Sequence, residues 1–193
     1  MNEDIFKNQE KLNVKIRMAK PEDWKELRDF RLEIINNDGK KMGVQDDEIP
    51  EIKNRTDQDW KNIFLEKENQ FTVVLVSTDS KIIGIGRADR WEKAWYLGYL
   101  FVRKEFRGIG LSSKITAARL NEIRSRGGKE VWTFIKEGNT ESLRNARSFG
   151  FEKDNTFLPE ESQGLDKDIC KMILINVNDP KVVKKIDEVL NER

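Results

Sequence analysis

Histidine is absent from the 193 residues of this chain, and cysteine occurs once, as Cys170. Without histidine there is no Ser-His-Asp or Cys-His triad and no imidazole general base. A single cysteine excludes a disulfide framework and the cysteine-rich zinc sites, and no metal is expected. Charge of one sign is also lacking: 36 Lys and Arg stand against 35 Asp and Glu, a formal net charge of +1. A bulk electrostatic nucleic-acid binder needs a basic excess, so no nucleic-acid partner is expected. No apolar run approaches the ~20 residues of a membrane helix, and the opening MNEDIFKNQEKLN is too polar for a signal peptide or anchor. The expected setting is therefore the reducing cytoplasm, away from membranes. Carboxylates, tyrosines, hydroxyls, backbone amides and water remain for any chemistry.

The length suits one domain with a substantial core. Residues 1–12 read as a flexible leader, 13–177 as the folded domain and 178–193 as a closing helix. Residues 14–18 alternate apolar and polar, the period of a strand. Pro21, Glu22 and Asp23 then suit a helix start, and Trp24, Leu27, Phe30 and Ile34 mark its buried face. A stop is expected near Asn36–Gly39. Residues 40–56 read as a loop with at most a short helix, and 57–66 as a second helix. Strands follow at 71–76, 81–89 and 95–102, the first two as a hairpin. A helix runs from the glycine pair after Arg107 to about residue 126, closed by Gly127 and Gly128. Further strands are expected at 131–135, 151–158 and 169–175. A helix capped by Asn139 ends at Gly150, and an amphipathic helix covers 180–190. The sum is a mixed α/β domain, an antiparallel meander first and a βαβ unit later.

The stretch 95–151 carries the chemical signal. A strand ends, Arg107 is followed by Gly108 and Gly110, and a helix begins at once. Glycines there let successive N–H groups converge, and the helix N-terminus adds partial positive charge, which makes an anion site. Arg107 or Arg103 is placed to add a charge-assisted contact. The plainer reading is a turn that only joins strand to helix. A Walker loop is absent, and a dinucleotide fingerprint would need glycine where Ser113 stands.

These residues resemble the acyl-CoA motif [QR]-x-x-G-x-[GA] of the GCN5-related N-acetyltransferase (GNAT) superfamily. Arg107, Gly110 and Ser112 hold its defined positions, with Ser112 departing from Gly or Ala. Asn139, Ser142, Gly150 and Phe151 match the second signature at the usual spacing. The likeness in element order runs from Val14 to Ile175. It implies a central, mostly antiparallel sheet whose one parallel strand pair splays apart, flanked by helices. It also implies acetyl-CoA as cosubstrate, a primary amine of a small molecule or protein as acceptor, and a possible homodimer. Cofactor contacts are then expected from Leu100, Phe101 and Val102 on the strand, with Leu100 and Val102 pairing pantetheine. Arg107, Gly108, Ile109, Gly110, Leu111 and Ser112 would surround the pyrophosphate, Asn139 and Ser142 the pantetheine arm, and Arg147 the 3′-phosphate. For Asn139 the plainer role is an N-cap, and both can hold.

Many relatives place a tyrosine acid seven residues after the asparagine. Here that position is Ala146, beside Asn145. Ser142 is the substitute proton donor, with Ser148 further along, and a backbone N–H near 100–102 is a candidate to polarise the thioester carbonyl. Tyr96, Tyr99, Asp89 and Glu92 are the candidates for the base. Strand alternation lets only one of the two tyrosines line the site. For Glu92 the plainer reading is a solvated hairpin turn.

On the acceptor side, Arg31-Leu32-Glu33, Gly43, Glu48 and Trp60 resemble a subset of the family. Glu33, Asp47 or Glu48 would attract a cationic amine there, while Trp60 as core and the acids as surface charge is the plainer view. Trp91 and Trp95 read either as hairpin packing or as a stacking platform, and Cys170 as core. Two rivals stand beside the enzyme: an acyl-CoA sensor that has lost transfer, suggested by Ala146, and an interaction module docking through residues 182–190, for which the plainer reading is a helix packed on its own sheet.

Overall fold

The computed structural model describes residues 14–38, 48–64, 67–157 and 168–192. Among the described residues there are seven strands: β1 (Lys15–Met18), β2 (Gln70–Val76), β3 (Ile82–Trp91), β4 (Ala94–Val102), β5 (Glu130–Lys136), β6 (Glu152–Lys153) and β7 (Ile169–Leu174). Six α-helices accompany them: α1 (Trp24–Asp38), α2 (Glu48–Lys53), α3 (Asp57–Phe64), α4 (Leu111–Ser125), α5 (Thr140–Ser148) and α6 (Pro180–Asn191). The strands form one sheet in the order β1-β2-β3-β4-β5-β7-β6, and every pairing is antiparallel except β4 with β5. This is the mixed, mostly antiparallel architecture expected from the sequence.

Alternation along the strands divides the interior in two. Val73, Leu75, Trp95, Leu97, Val131, Cys170, Met172 and Leu174 face α4, α5 and α6. Their neighbours Val74, Val76, Ile85 and Phe101 face α1, α2 and α3, where Leu27, Phe30, Ile34, Trp60 and Phe64 meet them. A strand buried on both faces must be apolar at nearly every position, which explains the continuous run in β2. Trp60 and Cys170 are core, as the plainer readings had it. Trp95 is buried, whereas Trp91, one strand-end away, is 62% exposed.

Gly86 in β3 has a physical reason. A Cβ there would stand 2.3 Å from Ile115 Cγ2 and 2.9 Å from Arg119 Nε, so only glycine lets α4 lie this close to the sheet. Arg119 occupies the space so created and is buried.

Several boundaries differ from the sequence reading. The helix after the glycine pair starts at Leu111, because a 3-10 turn (Lys104–Phe106) and the loop precede it. The strand expected at 151–158 is only Glu152–Lys153. Asp154 Oδ1 accepts from the backbone N–H (3.0 Å) and hydroxyl (2.6 Å) of Thr156, a side-chain turn that carries the chain off β7. The leader 1–12, Gly43 and Asp47 lie outside the described residues. Residues 180–190 pack within the same chain, with Val182, Ile186 and Val189 buried among the α4 side chains.

Candidate active site

The parallel pairing of β4 with β5 is short. It holds Ala94 against Glu130, Trp95 against Val131 and Tyr96 against Trp132, then stops. At the point of divergence the Thr133 hydroxyl donates to the Leu97 carbonyl at 2.7 Å, closing the ladder with a side chain. β5 continues paired with β7 as far as Lys136, so the gap belongs to the β4 side alone. A second irregularity deepens it. Between Ile85 and Arg87 on β3, opposite Phe101 and Gly98, β4 carries one extra residue. Tyr99 takes a left-handed φ of 53° there, which a bulky residue seldom adopts outside a bulge.

The bulge overturns the expectation that only one tyrosine lines the site. Tyr96 points away from the α4 face because Trp95 and Leu97 point into it. The extra residue restores Tyr99 to the same side, and both rings line the same two hollows. The first hollow is the gap itself, about 190 Å³, walled by Leu100, Thr116, Arg119, Thr133, Asn139, Ser142, Asn145 and Ala146 among others. The second is a broad cleft of about 840 Å³ on the α2–α3 side, reached by Glu51, Arg55, Asp59, Arg87, Asp89 and Trp91.

Below the gap lies the glycine loop. Gly108 and Gly110 have φ of 84° and 83°, and a Cβ built on either would meet no atom within 4 Å. The first helical bond of α4 runs from Lys114 N–H to the Gly110 carbonyl at 3.2 Å, so the preceding amides are unused by the helix. The loop thus presents an open concavity lined by free N–H groups at a helix N-terminus. The residues present fit a pyrophosphate.

Asn139 caps α5, its Oδ1 accepting from Ser142 N–H at 3.1 Å, and both residues line the gap. Asn145 donates to the Thr116 hydroxyl and accepts from the Ser113 hydroxyl, each at 2.9 Å, which ties α5 to α4. Phe101 turns its ring to Phe30 of α1 and packs in the core on that face. Arg107 Nε donates back to the Val102 carbonyl at 2.8 Å and the guanidinium lies over Phe101, bracing the loop. Ile109 and Arg147 are exposed.

Four expectations require correction. Arg103 is turned to the α1 side, pairing with Glu33 and donating to the Ile82 carbonyl, so it does not serve the anion loop. Glu33 is spent in that pair and does not line the acceptor cleft. Glu92 sits exposed at the tip of the β3–β4 hairpin, at the opposite end of β4 from the glycine loop, and lines neither hollow. Asp89 is held by the Arg87 guanidinium at 2.8 and 2.9 Å, which takes up its oxygens. As for Tyr96, burial, with Tyr99 and Asp89 adding to it, pushes its hydroxyl up to about 12. Such a phenol stays protonated at neutral pH, which suits a proton donor. Sequence reasoning missed Arg119 and Thr116. The signal available was the position of Arg119 four residues from both Ile115 and Ile123, inside the apolar stripe of α4.

Among the described residues no group of His, Cys, Asp and Glu is arranged to hold a metal, and no helix is long and apolar enough to cross a membrane. Curated proteins yield no match. Solved structures share the fold. An acetyltransferase of the GNAT family from Staphylococcus aureus Mu50 superposes with a TM-score of 0.66 at 16% identity, over 86% of this chain and 99% of that one. A ribosomal-protein-alanine N-acetyltransferase from Brucella melitensis gives 0.66 at 21% identity, over 83% and 99%. A PaiA N-acetyltransferase from Thermoplasma acidophilum, in complex with coenzyme A, gives 0.62 at 14%, over 83% and 97%. The sequence profile of the acetyltransferase (GNAT) family matches residues 29–151, more than half the chain. With that match on a sheet split beside a glycine-lined helix N-terminus, the chain belongs to the GNAT acetyltransferase family and is an acetyl-CoA-dependent N-acetyltransferase.

Proposed function

We propose that the enzyme acetylates a primary amine, of a small molecule or a protein, by direct transfer across the split in the sheet. The observation that carries this reading is that the gap and the broad cleft share Tyr96 and Tyr99. A thioester lying in the gap, its pyrophosphate on residues 107–113, meets an amine in the cleft at these two rings. The edge of β4 from Leu100 to Val102 offers backbone groups to the pantetheine amides, as an added strand would, with the Val102 carbonyl already accepting from Arg107 Nε.

The transfer balances without a third reactant. The amine nitrogen bonds to the carbonyl carbon, the carbon–sulfur bond breaks with both electrons going to sulfur, the nitrogen loses a proton and the sulfur gains one. In this reading Tyr96 donates to the departing sulfur, with the Ser142 hydroxyl as the second donor in the same cavity. Ala146 removes the tyrosine that relatives carry on α5, and Tyr96 answers for it from β4. That weakens the case for a sensor without turnover. The carboxylates of the cleft are engaged: Glu51 with Arg55, Asp59 with Thr56, Asp89 with Arg87. Proton removal from the amine therefore falls to water. A cytoplasmic setting and a homodimer belong to the same proposal.

A panel of primary amines, including polyamines, amino acids and peptides with free N-termini, scored by thiol release from acetyl-CoA, tests the reading. Turnover with at least one amine is the expected result. Acetyl-CoA binding with no thiol release on any amine would favour the sensor.

A further inference from the structure

Arg119 is fully enclosed, yet among the described residues no carboxylate lies within ion-pair distance of it. A buried guanidinium without a counter-ion is costly to desolvate, so its retention needs a reason. Its bonds supply one. Nη1 donates to the Gly98 carbonyl and to the Arg87 carbonyl, each at 3.1 Å, and Nη2 reaches the Thr116 hydroxyl at 3.4 Å. Arg87 and Gly98 are the pair that flanks the bulge. One fork of Arg119 therefore clamps both strands where the ladder is interrupted. Thr116 in turn accepts from Asn145, so a continuous polar chain runs from α5 through α4 to the bulge of β4. Nε is left without a partner, directed at the space that glycine leaves at position 86.

We propose that Arg119 is the positioning residue of the transfer step, fixing the bulge of β4 from the α4 face and setting a positive charge beside the cavity in which sulfur departs. Arg119 and Tyr96 approach that cavity from opposite faces of the sheet and both line it. The charge acts on the carbon–sulfur cleavage described above, where negative charge gathers on oxygen and then sulfur. It replaces in part the proton donor that Ala146 cannot be. The inference rests on the acetyl-transfer reading.

Two variants separate its parts, assayed with an alanine-terminated peptide as probe amine and with water alone as acceptor. R119M removes fork and charge. Thiol release should fall about 100-fold while the acetyl-CoA dissociation constant stays within about threefold. Amides of residues 98–101 should exchange faster. R119K keeps the charge and one carbonyl contact, and should recover about tenfold of the lost rate. Wild-type rate in a folded R119M enzyme would overturn the proposal, and so would a rate loss matched by an equal loss of acetyl-CoA affinity. Should R119M fail to fold, R119K decides: a folded R119K protein with wild-type rate and unchanged exchange at 98–101 overturns it. A wild-type enzyme that neither binds acetyl-CoA nor releases thiol defeats the underlying reading instead.

Discussion

Tyr96 and Asp23 show how one side chain's surroundings set its role. Tyr96 is held protonated by burial, with a pKa raised to about 12, so it keeps its proton throughout the neutral range and its own titration appears only far into base. Y96F should lower kcat by about 100-fold with little change in acetyl-CoA affinity. The pH–rate profile of the wild type should show no downward limb from this group below about pH 10. For Asp23, burial alone would push the carboxyl up, but Arg17 and the Lys20 N–H outweigh it and hold it below 3.8. A carboxylate lowered in the folded state stabilises it above the unfolded pKa, and that support is lost as pH falls through the folded value. D23N should therefore be less stable than wild type at neutral pH, and the gap should close below about pH 4 in denaturant titrations at stepped pH. At this scale the sequence was a partial guide. Asn139 and Ser142 stand where their motif put them, whereas a lone arginine in a helix reads as surface. Nothing local announces that Gly86, 33 positions earlier, makes room for Arg119.

Elements fix the site by where they stop pairing. β4 leaves β5 after three residue pairs, and its bulge shifts the parity of every later side chain. Strand alternation alone cannot foresee a bulge, which is why the sequence suggested one tyrosine where two converge. The strand–loop–helix unit around Arg107 was legible because glycine at positive φ and a helix start leave a local signature. Two substitutions test these elements. G110V forces a β-branched residue into φ of 83° and projects its side chain into the pyrophosphate cradle. Acetyl-CoA affinity should drop at least about tenfold with the fold retained, read by titration calorimetry. G86A drives a methyl against Ile115 and Arg119, both fixed by the core, and should cost about 1–3 kcal/mol in urea unfolding.

The whole molecule is a sheet clothed on two faces, with α4, α5 and α6 packed on one and α1, α2 and α3 on the other. Hydrophobic periodicity foretold the helices and the buried strands, and so the class of fold. It could not foretell that the terminal helix closes the core through Val182, Ile186 and Val189, since an amphipathic face looks alike whether its partner is its own chain or another. I186A should destabilise the fold by about 2–4 kcal/mol, measured by chemical unfolding. The central claim is that acetyl-CoA occupies the gap beside β4 and rests on the loop before α4. Amide hydrogen exchange with and without saturating acetyl-CoA tests it most directly. Protection should appear at residues 98–102 and 107–113, leaving β1, β2 and α1 unchanged. Protection confined to other segments, or none in a folded sample, would contradict the account.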